Sequence, residues 1–215
     1  NGIRYYTIDG VNKPSVTSIL GDIPERKEKI IQWRKAVGEQ MANYISVTST
    51  NRGKSTHKLI ENHLNNEDDK SVGVTNVVAL GLFRLIKPYL ARIDNINCLE
   101  EYLYSKEIGV AGQVDCVAEY KGKLSIIDFK TSTKRRDAEY NYGNFLQCSA
   151  YAKMFEEMYP DKKIEQTVVL ATCESGEVQE WLHTEDKIKE HQELFYKHTQ
   201  EFLERHKESL VEITK

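Results

Sequence analysis

The twenty residues from Gly112 to Thr131 constrain this chain more than any others: Gly112-Gln-Val-Asp115-Cys-Val-Ala-Glu-Tyr-Lys-Gly122-Lys-Leu-Ser-Ile-Ile-Asp128-Phe-Lys130-Thr131. They predict two strands around a tight Lys121-Gly122 turn, with β-branched residues on both sides. If the turn holds two residues, Tyr120 pairs with Lys123. Stepping back along one strand and forward along the other then carries Asp115 opposite Asp128. β-Carbons in such pairs are only roughly 5 Å apart, so two facing carboxylates repel. A cation between them relieves the repulsion. Lys130, two residues past Asp128, points to the same side of its strand. Two acids and a lysine in one patch suit metal-dependent cleavage of a phosphodiester. The purely structural alternative is a salt bridge from Lys130 to one or both aspartates, and the triplet alone does not choose between them.

Around this hairpin the chain reads as one mixed α/β domain over 1–215. It divides into an N-terminal strand and helices over 1–95, a sheet and helix over 96–182, and a C-terminal helix over 183–215. Residues 3–9 read as a strand, and Pro14-Ser-Val-Thr17 supplies helix-start chemistry. A helix is expected from Glu25 to about Ile45, with Ile30, Trp33, Val37, Met41 and Tyr44 at helical spacing. A second spans about Arg52 to Leu64 and ends in the polar loop 65–69. A third runs from about Thr75 to Ile93, where Pro88 kinks or ends it. Strands follow at Cys98–Lys106, Ala111–Tyr120 and Lys123–Lys130, then a helix from Asn144 to Tyr159. The series closes with strands at Ile164–Cys173 and Val178–Leu182, then an amphipathic helix from Glu185 to about Val211.

Composition narrows the partners. The net charge of -3 carries no global nucleic-acid signal. Yet Lys121, Lys123, Lys130, Lys134, Arg135 and Arg136 face a single acid, Asp128, between positions 121 and 136. A basic surface beside a carboxylate cluster suits a phosphate-bearing substrate; for Lys134–Arg136 alone, a solvated basic loop serves equally well. Cys98, Cys116, Cys148 and Cys173 form no C-x-x-C pair, which argues against a structural zinc and for reduced thiols inside a cell. No apolar run is long enough to span a membrane, and no secretory h-region is visible.

Asp115…Asp128-Phe129-Lys130 resembles the core signature of the PD-(D/E)XK nuclease superfamily. Arg52-Gly-Lys-Ser-Thr-His57, Glu100 and Gln147-Cys-Ser-Ala-Tyr151 are similar to motifs of its RecB-like branch. The likeness within that branch extends to Pro14-Ser-Val-Thr17, Trp33 and Ile127-Asp-x-Lys-Thr-Ser132. It implies a restriction-endonuclease-like core, a mixed central sheet flanked by helices with N-terminal helical additions. It also implies a magnesium- or manganese-dependent DNA exonuclease that prefers single strands with free ends. Such an enzyme serves replication, repair or genome maintenance, alone or beside other proteins of those pathways, as a monomer. Its compartment would be the mitochondrial matrix in a eukaryote, otherwise the cytoplasm of a bacterium or virus-infected cell.

Carried residue by residue, the resemblance makes His57, Asp115, Asp128 and the Phe129 carbonyl metal ligands. Lys130 positions water, and Glu100 binds a second cation or organises water, with Glu101 the alternative after a one-residue slip. Gln147 orients the lysine or the nucleophile, and Tyr151 touches a phosphate. Without the resemblance, His57 reads as a partly buried helix residue, Gln147 as helix surface and Tyr151 as core. Trp33, Arg34, Lys35 and Lys134–Arg136 are candidate strand contacts, since single strands are held by basic grooves and stacking side chains; for Trp33 a core position is favoured. Some relatives in the branch hold an iron–sulfur cluster through a late group of cysteines. No cysteine follows Cys173, so none is expected here. Two other readings compete: a structure-selective or double-strand endonuclease of the same fold, and a non-catalytic DNA-binding module.

Overall fold

The computed structural model describes residues 2–67 and 76–207. Tyr5–Ile8 (β1) and Val11–Pro14 (β2) form an antiparallel hairpin around Asp9-Gly10, both at positive φ. The second strand of this hairpin was not expected from sequence. Ser15 then caps Val16–Gly21 (α1), its hydroxyl accepting from the Ser18 amide. Pro24–Val37 (α2) and Glu39–Leu64 (α3) follow, then Val77–Leu90 (α4).

The sheet is built from Ile93–Ser105 (β3), Val110–Tyr120 (β4), Lys123–Ser132 (β5), Gln166–Cys173 (β6) and Val178–Thr184 (β7), in that spatial order. Ala138–Met158 (α5) joins β5 to β6, and Glu185–Arg205 (α6) follows β7. Among the described strands of this sheet, only β5 and β6 run parallel; a parallel pair needs a long crossover, and α5 supplies it. The mixed α/β architecture is therefore the one expected.

Alternation along β5 sorts the core into two layers. Ile126 packs with Phe145, Ala152 and Phe155 of α5 and with Phe195 and Phe202 of α6. Ile127 and Phe129 face the opposite side, against Leu59 and Ile60 of α3 and Phe83 and Ile86 of α4. The chemically interesting residues lie where α3, β3, β4 and β5 meet.

Several helix boundaries moved. The first long helix breaks at Gly38, whose φ of 83° suits glycine, instead of near Ile45. α3 then runs unbroken through Ile45-Ser-Val-Thr-Ser-Thr50, a β-branched stretch that reads locally as an interruption. Ser46 and Thr48 return their hydroxyls to the carbonyls of Ala42 and Tyr44, four residues earlier. α5 begins earlier than expected, at the Asp137 cap, whose carboxylate accepts from the Tyr140 amide. Pro88 sits in the last turn of α4, which ends two residues later. Asp68, Asp69, Thr75 and Val211, expected at segment ends, lie outside the described residues.

The stripe Ile30, Val37, Met41 and Tyr44 is exposed, not buried, and α2 has no buried residue at all. Trp33 is half-buried there and is not a core residue. No helix among the described residues is long and apolar enough to cross a membrane.

Candidate active site

The hairpin register is the expected one. Lys121 and Gly122 both have positive φ, 54° and 77°, as a type I′ turn requires. Five ladder pairs run from Tyr120↔Lys123 to Cys116↔Ile127. There the ladder stops, one step short of the expected Asp115–Asp128 pair. The Phe129 amide instead donates to Asp115 Oδ2 at 2.8 Å, so the carboxylate fills the gap where the strands part.

On its other side β4 pairs with β3 at Leu99↔Cys116 and Glu101↔Val114, which leaves Glu100 across from Asp115. Glu100 adopts φ of 52° within a strand, a strained conformation for a residue with a β-carbon. The Gln113 side-chain amide donates to its carbonyl at 2.9 Å and holds it there. Glu101, the alternative, is exposed and acts on the field around Cys98 instead.

α3 delivers His57 to this notch from the opposite layer. Nε2 bonds the Phe129 carbonyl at 2.7 Å, and Nδ1 lies 3.6 Å from Glu100 Oε1 and 3.8 Å from Asp115 Oδ2. One ligand atom each from His57, Glu100 and Asp115 falls within 4.8 Å of the others, a set of nitrogen and oxygen donors suited to a hard divalent cation. Burial disfavours the charged imidazole, but the Asp115 carboxylate and the contact with Glu100 outweigh it and raise its pKa to about 9.

Asp128 stands behind this trio, 2 % exposed, with Oδ1 accepting from Lys130 Nζ at 2.6 Å. Its Oδ2 is buried without a partner, and burial lifts its pKa to about 6 against the pull of Lys130. An orphaned carboxylate oxygen beside three convergent ligands is costly unless something completes it. Asp128 was expected in the tight ligand set; the side chains that converge most closely are those of His57, Glu100 and Asp115.

α5 covers the far side. Gln147, half-buried, contacts the Tyr151 hydroxyl one turn on. Tyr151 is itself buried, its ring so close to Gly112 that a β-carbon there would meet it at 2.8 Å. Expected at a phosphate, Tyr151 is a wall of the site.

The expected strand contacts are dispersed. Arg34, on α2, binds Glu39 and Asn43 at the start of α3. Lys134 and Arg135 are exposed after β5, with Arg135 on Glu177 at 3.3 Å, and Arg136 stacks over Tyr140 at 4.1 Å. Lys121 pairs with Glu180 at 2.9 Å, which partly neutralises the basic segment. All four cysteines are buried, free and scattered.

Sequence reasoning gave Arg52 no role. It is buried on α3, pairs with Glu174 beyond β6 and reaches Thr131 Oγ1 on β5 at 3.3 Å. It therefore fastens the helix carrying His57 to the strand carrying Asp128. Buried arginines are rare enough that its place in the Arg52…His57 motif was the available signal.

Comparison with known proteins bears on this constellation. The PD-(D/E)XK nuclease superfamily matches residues 50–213. Mitochondrial genome maintenance exonuclease 1 of Mus musculus is 34% identical over 146 residues, 64% of this chain and 43% of that protein. Its counterparts in Homo sapiens and Xenopus tropicalis are 27% and 30% identical, over 64% of this chain and 42% of theirs. The chain spans less than half the length of the curated relatives it matches.

Proposed function

This chain belongs to the PD-(D/E)XK nuclease superfamily, and from that premise we propose that it is a magnesium- or manganese-dependent exonuclease that trims single-stranded DNA from free ends. The convergence of His57, Glu100 and Asp115 on a cleft beside the Asp128–Lys130 pair carries this reading. The donor set and the orphaned Asp128 oxygen both fit a divalent cation. His57, Glu100 and Asp115 would hold it, with Asp128 and the Phe129 carbonyl alongside. Bound there, it would supply Lewis acidity toward a phosphoryl oxygen and a lower pKa for water.

The residues do the rest. Lys130, held by Asp128, hydrogen-bonds the attacking water and steadies charge developing on the phosphate. Asp128 keeps the ammonium aimed, and Gln147, at Tyr151, lines the α5 side. Glu100 accepts hydrogen bonds from water through a carboxylate aimed by its strained backbone. Trp33 and the exposed apolar residues of α2 offer stacking surface, and Lys134, Arg135 and Arg136 offer charge, for a strand without sequence preference. The relatives' names, which speak of mitochondria and genome maintenance, motivate a mitochondrial location and a role in DNA maintenance for this chain.

Digestion of end-labelled linear single strands, duplexes and closed single-stranded circles, each with magnesium or manganese, tests the reading. Shortening of the linear single strands with intact circles is expected. Cut circles would instead indicate an endonuclease of the same fold, and no cleavage with either metal would indicate a binding module.

A further inference from the structure

α3 carries more than His57 past the notch. The cleft at the site, about 370 Å³, is lined by Gly53, Lys54, His57, Lys58, Glu61 and Glu100. A second groove, about 610 Å³, lies between α3 and the start of α4, lined by Asn51, Lys54, Ser55, Asn76, Val77 and Val78. Lys54 lines both and joins them. It is exposed and forms no ion pair or hydrogen bond among the described residues, whereas Lys58 is engaged by Glu61 at 3.0 Å. Asn51, Lys54, Ser55 and Lys58 recur at helical spacing and form one stripe beside the face that bears His57.

The far wall has a different chemistry. Val77 is 79% exposed and Val78 47%, two branched apolar side chains in water at the first turn of a helix that buries its other face. Asn76 and Asn51 flank them with amides. A positive charge at the junction with the site, an apolar floor beyond it and amides at the rim match the three parts of a nucleotide: phosphate, ring face and ring edge.

We propose that this groove is a nucleotide subsite for the residue next to the scissile phosphate. Lys54 takes the neighbouring phosphate, and Val77 and Val78 receive the flat face of its base. The assignment rests on the nuclease reading and deepens it. Lys54 and His57 lie three residues apart on α3, ~4.5 Å along the axis, so a phosphate beside the one at the metal site comes within reach of Lys54. An apolar floor contacts any base, so the subsite adds hold without sequence choice.

The test compares wild-type protein and Lys54→Ala on short single strands in which one phosphate at a time is replaced by neutral methylphosphonate. On unmodified DNA the variant should raise KM roughly tenfold, and the slope of log KM against log salt should fall by about 0.7, one contact on a single strand. The wild type should lose a similar factor at one modified position beside the cut, and the variant should be indifferent to that position. Val77→Asp should also raise KM, with the melting temperature unchanged because the side chain is exposed. Manganese titration should give the same half-saturating concentration for Lys54→Ala and wild type.

An unchanged KM and salt slope in Lys54→Ala, with wild-type cleavage intact, overturns the subsite and leaves the nuclease reading standing. Equal sensitivity of the variant to every modified phosphate, or a shifted manganese requirement, also overturns it. Absence of cleavage by the wild type removes the nuclease reading and the subsite together.

Discussion

Lys130 Nζ and Asp128 Oδ1 lie 2.6 Å apart on the sheet face covered by α5, with the aspartate sealed from solvent and its second oxygen without a partner. Each group is what allows the other to stay charged there, since an unpaired buried ion is strongly disfavoured. Lys130→Ala should lower single-turnover cleavage about 10²- to 10⁴-fold, the range for loss of a group acting on the reacting proton. DNA affinity, measured by anisotropy with calcium, should hold within a few-fold. Cleavage at the wild-type rate would remove Lys130 from the mechanism.

Glu100 and Glu101 offer a sharper contrast, because neighbours in a strand point to opposite faces. Glu100→Ala should raise the manganese concentration needed for half-maximal activity by about tenfold or more. Glu101→Ala, at an exposed position, should leave it unchanged. Equal shifts in calorimetric titration would undo the assignment.

Arg52 acts at a distance. Arg52→Ala removes the guanidinium that joins α3 to Glu174 and Thr131, and should cost about 2–3 kcal/mol in urea unfolding. If Arg52 positions His57, the variant should regain most of its activity at high manganese, and Arg52→Lys should restore part of it at ordinary manganese. A stability loss without any change in metal requirement would make the role structural only.

Gly112 faces Tyr151 with no room to spare. Gly112→Ala sets a methyl group 2.8 Å from the tyrosine ring, which α5 holds buried. Destabilisation of about 1–3 kcal/mol is expected from overpacking. Because Gly112 lies three residues before Asp115, cleavage should fall as well. A variant as stable as wild type would mean that the ring moves aside.

His183 and His191 lie with ring centroids 5.1 Å apart, His191 against Phe145 and Tyr142 with Nδ1 unpaired. Burial lowers both pKa values; Lys187 adds to this for His183 and His183 does so for His191, against Glu190. A histidine whose folded pKa lies below its unfolded value of about 6.5 adds nothing to destabilise the fold above that pH. As pH falls through 6.5 the unfolded chain takes up protons first, and stability drops. These two histidines should therefore pull the melting temperature down between pH 7.5 and 5.5, so His191→Phe should lose stability less steeply than wild type over that interval. An identical slope in the variant would place the acid sensitivity elsewhere.

Much of the site was legible because it is local. The hairpin register follows from a two-residue turn and strand alternation, both properties of consecutive residues, and the Asp128–Lys130 pairing follows from β5 alone. What alternation could not supply is the end of the ladder: the Phe129 amide chooses the Asp115 carboxylate over a backbone partner, a competition decided in three dimensions. The break at Gly38 also escaped, because the β-branched run after Ile45 carries the stronger local signal against a helix.

The sequence by itself determined the strand pair, its turn, the chemistry of Asp115, Asp128 and Lys130, and the helix start at Ser15. These depend on short-range sterics and hydrogen bonding, which any segment carries with it. Only the tertiary structure decided that His57 and Glu100 close on Asp115, that Asp128 stands behind them, and that Arg52 fastens α3 to β5. Those choices rest on packing between segments far apart in the chain, where burial of α3 against one sheet face selects a single approach.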